Sequence, residues 1–337
     1  VQVSRVQVNR VQPNRVQAYR VQAECSALPR MIVYNTWHKG GTVLASSIFK
    51  TVVQSCPREA QAIYLDSQLQ DSSLCDVVHH SAARERAQNS SVFHLNSASY
   101  FKLHVPIACI TALPPAHARF VHFIRNPFAM VASFFLYHLT GQECGYEDMQ
   151  LVCRSLYRGR QSLSMGRGHK NASLMTPALV NALEQAADKL LISPLPQMVE
   201  LHVATRSSPH ALSLQLESFD HAFDETVGQL LRFLHVLPSL GLHQELACAL
   251  RKHDVGRWTQ AQRASSDHVQ PGLRLGLRHD EVRQSLRDHD PRTIQLLNLS
   301  SILGYPSFRL QSRGRRLESA PAPPTATVAT SSIAPTA

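Results

Sequence analysis

The chain has 337 residues, of which 44% are apolar and 17% are charged. This balance excludes a wholly disordered or collagen-like chain and predicts one large α/β domain or two ordinary domains. The 34 lysines and arginines exceed the 24 aspartates and glutamates, and the resulting net charge of +10 favours an anionic partner without choosing among nucleic acid, membrane and phosphorylated small molecule.

The cysteines argue against a disulfide-rich protein, and the apolar runs argue against an integral membrane protein. The seven cysteines are scattered without a CxxC pair or a zinc-binding spacing, so we expect no disulfide scaffold. The longest apolar run, Phe128 to Tyr137, has about half the length of a membrane span, and the N-terminal residues show no signal-peptide pattern. We therefore expect a soluble protein without an integral membrane segment.

Low-complexity sequence flanks the predicted domain. Residues 1–25 repeat the unit Val-Gln-x-x-Arg, whose five-residue period matches neither a helix nor a strand, so we expect a disordered arm. Residues 312–337 are first rich in arginine and then in Ser, Pro, Ala and Thr, a composition that cannot offset the entropy of ordering the chain. The predicted folded unit is therefore residues 26–311.

Apolar patterning predicts strands that alternate with helices. The predicted strands are Met31 to Tyr34, Ser91 to Leu95 and Arg119 to Ile124. The predicted helices are Val43 to Val53, Phe128 to about Thr140, Pro177 to Leu191, Asp224 to His235 and Leu240 to Arg251. Such alternation predicts an α/β fold, a three-layer sandwich with a central parallel sheet. Ligands of such folds bind beyond the carboxyl ends of the strands.

The first candidate site is the turn Lys39-Gly40-Gly41-Thr42, between a predicted strand and a predicted helix. Two glycines allow the backbone to approach a ligand, and the helix N–H groups with the lysine charge form a cradle for an anion such as phosphate. An ordinary glycine turn is the alternative. The order of residues differs from the nucleotide-triphosphatase loop, because the lysine precedes the glycines.

The second candidate site is Arg125-Asn126-Pro127, at the end of a predicted strand, with Ser133 eight residues beyond the arginine. A nucleotide triphosphatase usually ends such a strand in an aspartate that helps to hold magnesium, whereas an arginine repels the metal. The guanidinium instead offers a planar pair of donors to a phosphate. The serine reaches the same ligand only if that ligand lies along the helix.

Two further segments carry basic residues. In Lys102-Leu103-His104-Val105-Pro106, strand-like alternation places Lys102 and His104 on one side, so a cation lies beside a group that accepts protons near neutral pH. The other segment is Arg251-Lys252-His253-Asp254-Val255-Gly256-Arg257-Trp258, which taken alone reads as a solvated helix end.

Taken in order, the four segments resemble the sulfotransferases that use 3'-phosphoadenosine 5'-phosphosulfate (PAPS), especially the cytosolic group. That family has a Lys-x-Gly-Thr-type phosphosulfate loop, a Lys-Thr-His-x-Pro segment with the catalytic histidine, an Arg-Asn-Pro strand end followed by a serine, and a late Arg-Lys-Gly-x-x-Gly-Asp-Trp stretch. The motifs agree in order and spacing over roughly residues 31–258, and Gly304-Tyr305-Pro306 resembles the family's C-terminal end.

The resemblance implies a P-loop-like phosphosulfate-binding loop, PAPS as co-substrate and no metal. The residues implied to bind PAPS are Lys39, Gly40, Gly41, Thr42, Arg125, Ser133, Arg251 and Lys252. Arg125 and Ser133 would hold the 3'-phosphate, and the late basic pair would complete that clamp. The implied catalytic residues are His104 as the general base, Lys39 at the bridging oxygen and Lys102 beside the histidine.

Several residues depart from the family pattern. Val43 replaces the second threonine of the loop, and Leu44 and Leu216 stand where an adenine-stacking tryptophan and a tyrosine are usual. His253 and Arg257 replace a glycine and an aspartate of the late motif. The loop is also similar to that of Golgi carbohydrate sulfotransferases, some of which take their base from a glutamate in the next helix. Residues 44–50 contain no acid, which favours a histidine base.

The prediction is a sulfotransferase that transfers a sulfuryl group to a hydroxyl or amine of a small-molecule or carbohydrate acceptor. The alternatives are a divergent P-loop nucleotide kinase, a catalytically inactive relative and a non-catalytic basic nucleic-acid binder. We expect no nucleic-acid partner and a cytoplasmic location, with the Golgi as the alternative if an anchor is missing from this chain. The acceptor pocket is expected near residues 56–90 and 140–175, and the sequence does not define the acceptor or the oligomeric state.

Overall fold

The structure is a computed structural model that describes residues 28–29, 31–37, 41–55, 60–63, 90–96, 107–111, 118–141, 144, 149–166, 175–236, 241–265 and 277–306. The N-terminal repeat, the C-terminal tail and the segments that hold Lys39, Gly40, Lys102 and His104 lie outside these residues.

Five parallel strands form the central sheet, in the spatial order β2-β3-β1-β4-β5. They are β1 (Met31–Thr36), β2 (Ala60–Ile63), β3 (Ser90–Asn96), β4 (Ala118–Ile124) and β5 (Ala211–Gln215). The registers place Met31 opposite both Ser91 and Ala118, so the middle strand is β1. The parallel sheet that the alternating pattern predicts is confirmed.

Twelve α-helices connect and cover the strands within the described ranges. They are α1 (Thr42–Ser55), α2 (Ile107–Thr111), α3 (Pro127–Leu139), α4 (Gln150–Gly166), α5 (Pro177–Ile192), α6 (Pro194–Thr205), α7 (Leu216–His221), α8 (Phe223–Phe233), α9 (Gly241–Leu250), α10 (Gln260–Ser265), α11 (His279–His289) and α12 (Thr293–Ile302). Two short 3-10 turns, Arg251–His253 and Val255–Arg257, follow α9.

Two hydrophobic cores lie on opposite faces of the sheet, because neighbouring residues of a strand point in opposite directions. Val33 and Phe120 enter one core with α3, α5 and α6, whereas Ile32, Tyr34 and Phe123 enter the other with α1, α8 and α9. Two helical layers therefore enclose the sheet, and the three-layer sandwich is confirmed.

Local sequence explains the helix that matters most for the site. Asn126 caps the start of α3, since its side-chain oxygen accepts hydrogen bonds from the backbone N–H groups of Phe128 (3.0 Å) and Ala129 (3.3 Å). Pro127 occupies the first turn, where no helical hydrogen bond needs its missing N–H. All thirteen residues of α3 are buried, so the strand end and the helix start are held together as one unit.

Candidate functional site

β1 and β4 are neighbouring parallel strands, and their carboxyl ends lie side by side. The chain leaves β1 into α1, which packs on one face of the sheet, and leaves β4 into α3, which packs on the other face. This change of direction at adjacent strands is the place where open α/β sheets bind ligands. The first two candidate sites both lie at this edge of the sheet.

The turn that leads into α1 depends on a glycine. Gly41 has φ of +92°, a conformation that L side chains rarely adopt. A Cβ atom added there would lie 2.5 Å from Leu216 Cδ1, at the start of α7. The turn following β1 is therefore packed directly against the chain that follows β5.

Thr42 closes this turn from inside. Its hydroxyl donates toward Thr36 Oγ1 at 3.2 Å and Trp37 O at 3.5 Å, and the Gly41 carbonyl accepts from the Ala45 N–H at 2.9 Å. Lys39 and Gly40 precede the described part of the turn.

Arg125 is held beside Glu217, a residue that the sequence analysis did not name. The Asn126 N–H donates to Glu217 Oε1 at 3.1 Å, and Arg125 Nε lies 3.9 Å from the same oxygen. The Tyr305 hydroxyl donates to the other oxygen, Glu217 Oε2, at 2.6 Å. Burial lowers the pKa of Arg125 from its ordinary value, and the nearby Glu217 and Asp220 carboxylates oppose that shift.

Ser133 lies in α3, about 9 Å along the helix axis beyond Pro127, which starts the helix two residues after Arg125. Its side chain is buried. One ligand would contact both residues only by extending along this helix, as the sequence analysis states.

Three side chains of α11, which are His279, Arg283 and Arg287, lie near Arg125 or Phe128, and the sequence analysis missed them. Burial, together with the positive charges of Arg125 and Arg283, lowers the pKa of His279 to about 4. Arg283 also pairs with Asp280 on the same helix, and the Arg287 guanidinium lies 5.4 Å from the centre of the Phe128 ring. The spacing of His279, Arg283 and Arg287 is four residues each time, which puts them on one helix face. That spacing is the signal from which they could have been found.

The late basic segment folds against α1 and α8. Arg251 Nε donates to Asp224 Oδ1 at 3.1 Å, so its exposed guanidinium is engaged by a carboxylate, and Lys252 is exposed. His253 Nε2 lies 3.2 Å from Thr51 Oγ1, near the end of α1.

Arg257, which stands where the motif resembled by this segment has an aspartate, pairs with two nearby carboxylates. Arg257 donates to Asp224 Oδ2 and to Asp254 Oδ2, both at 2.8 Å. Asp254, which is buried, also accepts from the Gly256 N–H at 2.9 Å. One arginine and two carboxylates therefore hold the two 3-10 turns together.

A disulfide joins Cys144 to Cys153, whose Cα atoms are 5.7 Å apart. The expectation of no disulfide scaffold was drawn from scattered cysteines, and a spacing of nine residues has no recognisable pattern to reveal this bond. Across the helices that the structure describes, none combines the length and apolar character needed to cross a membrane.

No protein-family description matches the chain, and no curated protein matches it. Among solved structures, the fold is similar to mouse sulfotransferase SULT7A1 in complex with PAP, with 12% sequence identity, a TM-score of 0.41 and coverage of 85% of this chain and 90% of that chain. It is also similar to the sulfotransferase domain from the curacin biosynthetic pathway, with 12% identity, a TM-score of 0.37 and coverage of 83% and 99% respectively. Both of these structures are named as sulfotransferases.

Proposed function

We propose that this protein is a sulfotransferase that moves a sulfuryl group from PAPS to a hydroxyl or amine of an acceptor. The observation that carries the proposal is made at the adjacent carboxyl ends of β1 and β4, where a positive-φ glycine turn follows one strand and a partly buried arginine follows the other. The four sequence motifs, which resemble those of PAPS-dependent sulfotransferases, assign sulfuryl transfer as the reaction.

The described residues suit a nucleotide with phosphates at two positions. The Gly41-Thr42 turn offers N–H groups at the start of α1 for the 5'-phosphosulfate. Arg125 and Ser133 are assigned to the 3'-phosphate, and Arg283 adds positive charge near that arginine. The proposed donor therefore extends from the Gly41-Thr42 turn to Arg125 and along α3.

Bound PAPS supplies a sulfuryl group attached through oxygen to its 5'-phosphate. In the proposed reaction His104 removes the proton from the acceptor hydroxyl or amine, and a bond forms from that oxygen or nitrogen to sulfur as the bond from sulfur to the bridging oxygen breaks. Lys39 is assigned to the bridging oxygen, where it would stabilise the developing charge, and Lys102 is assigned to neutralise charge beside His104. No metal is assigned to this step.

The assignment of Arg251 and Lys252 to the 3'-phosphate carries a condition. Arg251 already makes an ion pair with Asp224, so phosphate binding requires the guanidinium to exchange a carboxylate for a phosphate or to bind both. Lys252 is exposed and needs no such exchange.

The disulfide indicates which cell compartment the protein occupies. Disulfides persist in oxidising compartments and are rare in the cytosol. The bond between Cys144 and Cys153 therefore favours the Golgi alternative over the cytoplasmic one. A carbohydrate acceptor, one of the two classes left open by the sequence, is consistent with that compartment.

The test compares binding of PAP (adenosine 3',5'-bisphosphate) with binding of ATP plus magnesium to the full chain, followed by thermal shift. The proposal expects stabilisation by PAP and a loss of PAP affinity of about tenfold or more in Arg125→Ala, since a charge-assisted hydrogen bond is worth roughly 1.5–3 kcal/mol. Arg206→Ala, an exposed arginine after α6, is the matched control. Stabilisation by ATP and magnesium but not by PAP would replace the proposal with the nucleotide-kinase alternative.

A further inference from the structure

The turn between β1 and α1 begins at a tryptophan that is held from the neighbouring strand. Trp37 directly follows β1 and is fully buried. Its indole N–H donates to His122 Nε2 on β4 at 2.7 Å, and the centres of the two rings are 5.9 Å apart. His122 is fully buried as well. This hydrogen bond joins the end of β1 to the strand that leads to Arg125.

The other end of the turn is held by different contacts. The Thr42 hydroxyl donates toward Thr36 Oγ1 and the carbonyl oxygen of Trp37. The helix α1, which Thr42 begins, packs in the core on one face of the sheet, whereas Trp37 is buried in the core on the opposite face. Residues 38–40, which include Lys39, are therefore joined on both sides to anchored residues.

The His122 ring makes this one bond at a cost. Because Nε2 accepts the indole N–H, the ring proton lies on Nδ1, which has no hydrogen-bond partner among the residues that the structure describes. A buried donor without a partner lowers stability. Burial, with the charge of His202, lowers the pKa of His122 to about 3, so the ring is neutral and accepts from Trp37 at neutral pH. Departures of this kind from full pairing are expected at functional sites.

His138 makes a comparable bond in a different place. It is also buried, and its Nδ1 lies 2.8 Å from the carbonyl oxygen of Phe134. Both residues belong to α3, and His138 lies near the end of that helix remote from Arg125. This bond therefore stays within one helix and holds no part of the proposed donor site, which makes His138 a matched control for His122.

We propose that His122 is a positioning residue for sulfuryl transfer, which holds Trp37 and thereby fixes the turn that carries Lys39, Gly41 and Thr42. The proposal rests on the proposed sulfotransferase function. Because His122 is fully buried, it acts through Trp37 and not by contact with the donor. A turn that is fixed before binding loses less freedom when the phosphosulfate binds. A small displacement of groups around the reacting bond is costly in rate.

Hydrogen exchange of the backbone amides of residues 38–44, in the full chain without ligand, tests the hold on the turn. His122→Phe keeps a ring but removes the acceptor, and we expect exchange there to become about tenfold faster. Trp37→Phe removes the same bond from the other side and should have the same effect, so the test stands even if one variant does not fold. His122→Gln restores an acceptor and should return exchange to the original rate. Exchange in His122→Phe no faster than in His138→Phe would overturn the proposal.

Calorimetric PAP affinity on the same variants tests the consequence for the donor. We expect about a tenfold loss in His122→Phe and less than about twofold in His122→Gln and His138→Phe. The double variant of Trp37→Phe with His122→Phe separates positioning from stability. Replacing both polar partners by apolar rings should restore part of the melting temperature, whereas PAP affinity should stay low. Recovery of PAP affinity together with the melting temperature would show a purely structural bond and would overturn the proposal.

The two measurements distinguish failure of this proposal from failure of the proposed function. If the unmodified chain binds PAP and the exchange of residues 38–44 does not respond to His122→Phe, the positioning role alone is overturned. If the unmodified chain does not bind PAP, the sulfotransferase proposal is overturned and the role of His122 in transfer falls with it.

Discussion

The hydroxyl of Tyr305 donates to Glu217 Oε2 at 2.6 Å and joins residues 88 positions apart. The same hydroxyl lies 3.4 Å from Ile124 O, at the end of β4. Because Glu217 also accepts from Asn126 N–H and lies beside Arg125, the C-terminal Gly304-Tyr305-Pro306 segment reaches the proposed donor site through one carboxylate.

Tyr305→Phe tests this connection. It leaves one oxygen of a partly buried carboxylate without its donor, so we expect stability to fall by about 1–3 kcal/mol and PAP affinity to fall severalfold as Arg125 loses its fixed neighbour. Urea unfolding and calorimetric PAP binding give the two values. Ser300→Ala removes another buried hydroxyl, bonded to Leu296 O in α12, and should lower stability alone. Unchanged PAP affinity in Tyr305→Phe would show that the carboxylate does not position the arginine.

Gly41→Ala tests the turn into α1. The positive φ costs a side-chain-bearing residue about 1–2 kcal/mol, and the new methyl group overlaps Leu216. We expect lower stability and weaker PAP binding. In the double variant with Leu216→Ala, only the stability lost through overlap with Leu216 should be recovered, because the backbone strain at position 41 remains. Melting temperature and PAP affinity are measured for each variant.

Gly141→Ala is the matched control for that experiment. Gly141 has φ of +89°, almost the same as Gly41, and lies at the far end of α3. It should lower stability by a similar amount and leave PAP affinity unchanged. If Gly41→Ala has no greater effect on PAP than Gly141→Ala, the turn does not bind the donor.

Transfer of label from PAPS tests the proposed catalytic residues. His104→Ala removes the general base and should reduce kcat by roughly 10²-fold or more while PAP still binds. Lys39→Ala should reduce both transfer and PAP affinity, since the lysine is assigned to both. Lys50→Ala, an exposed lysine on α1, is the control. Transfer near the normal rate by either variant contradicts the mechanism.

The sequence predicted the parts of the fold whose pattern is local. The apolar strands β1, β3 and β4 and the helices α1, α3 and α5 lie within a few residues of their predicted bounds. By contrast β2 and β5 were missed, because four or five residues of mixed polarity carry little periodic signal. The helix α4 was missed as well, since its arginine and serine content conceals the narrow stripe that packs on α5.

The site was predictable only as separate motifs. The glycine turn and Arg125 could be placed at strand ends because parallel strands end on one edge of the sheet. The roles of Glu217 and Tyr305 depend on contacts between distant parts of the chain, which a single sequence does not contain. The ion pair of Arg251 with Asp224 also joins distant parts of the chain, so the sequence did not predict it. Because of this pair, Arg251 must exchange or share its carboxylate partner in order to bind a phosphate.

Buried histidines make stability depend on pH. His122 is fully buried and accepts the Trp37 indole N–H at 2.7 Å, and burial, with the charge of His202, lowers its pKa to about 3. The folded-state pKa lies below the unfolded value of 6.5, so below pH 6.5 the unfolded chain binds more protons and stability falls. The loss of stability from this group is about 1.4 kcal/mol per pH unit.

His122→Gln tests this origin of the pH dependence. The glutamine keeps an acceptor for the Trp37 N–H and has no proton to gain, so we expect the melting temperature to fall less steeply between pH 6.5 and 4.5. His221→Gln, at an exposed histidine, should keep the original slope, and equal slopes in the two variants would mean that His122 does not cause the pH dependence.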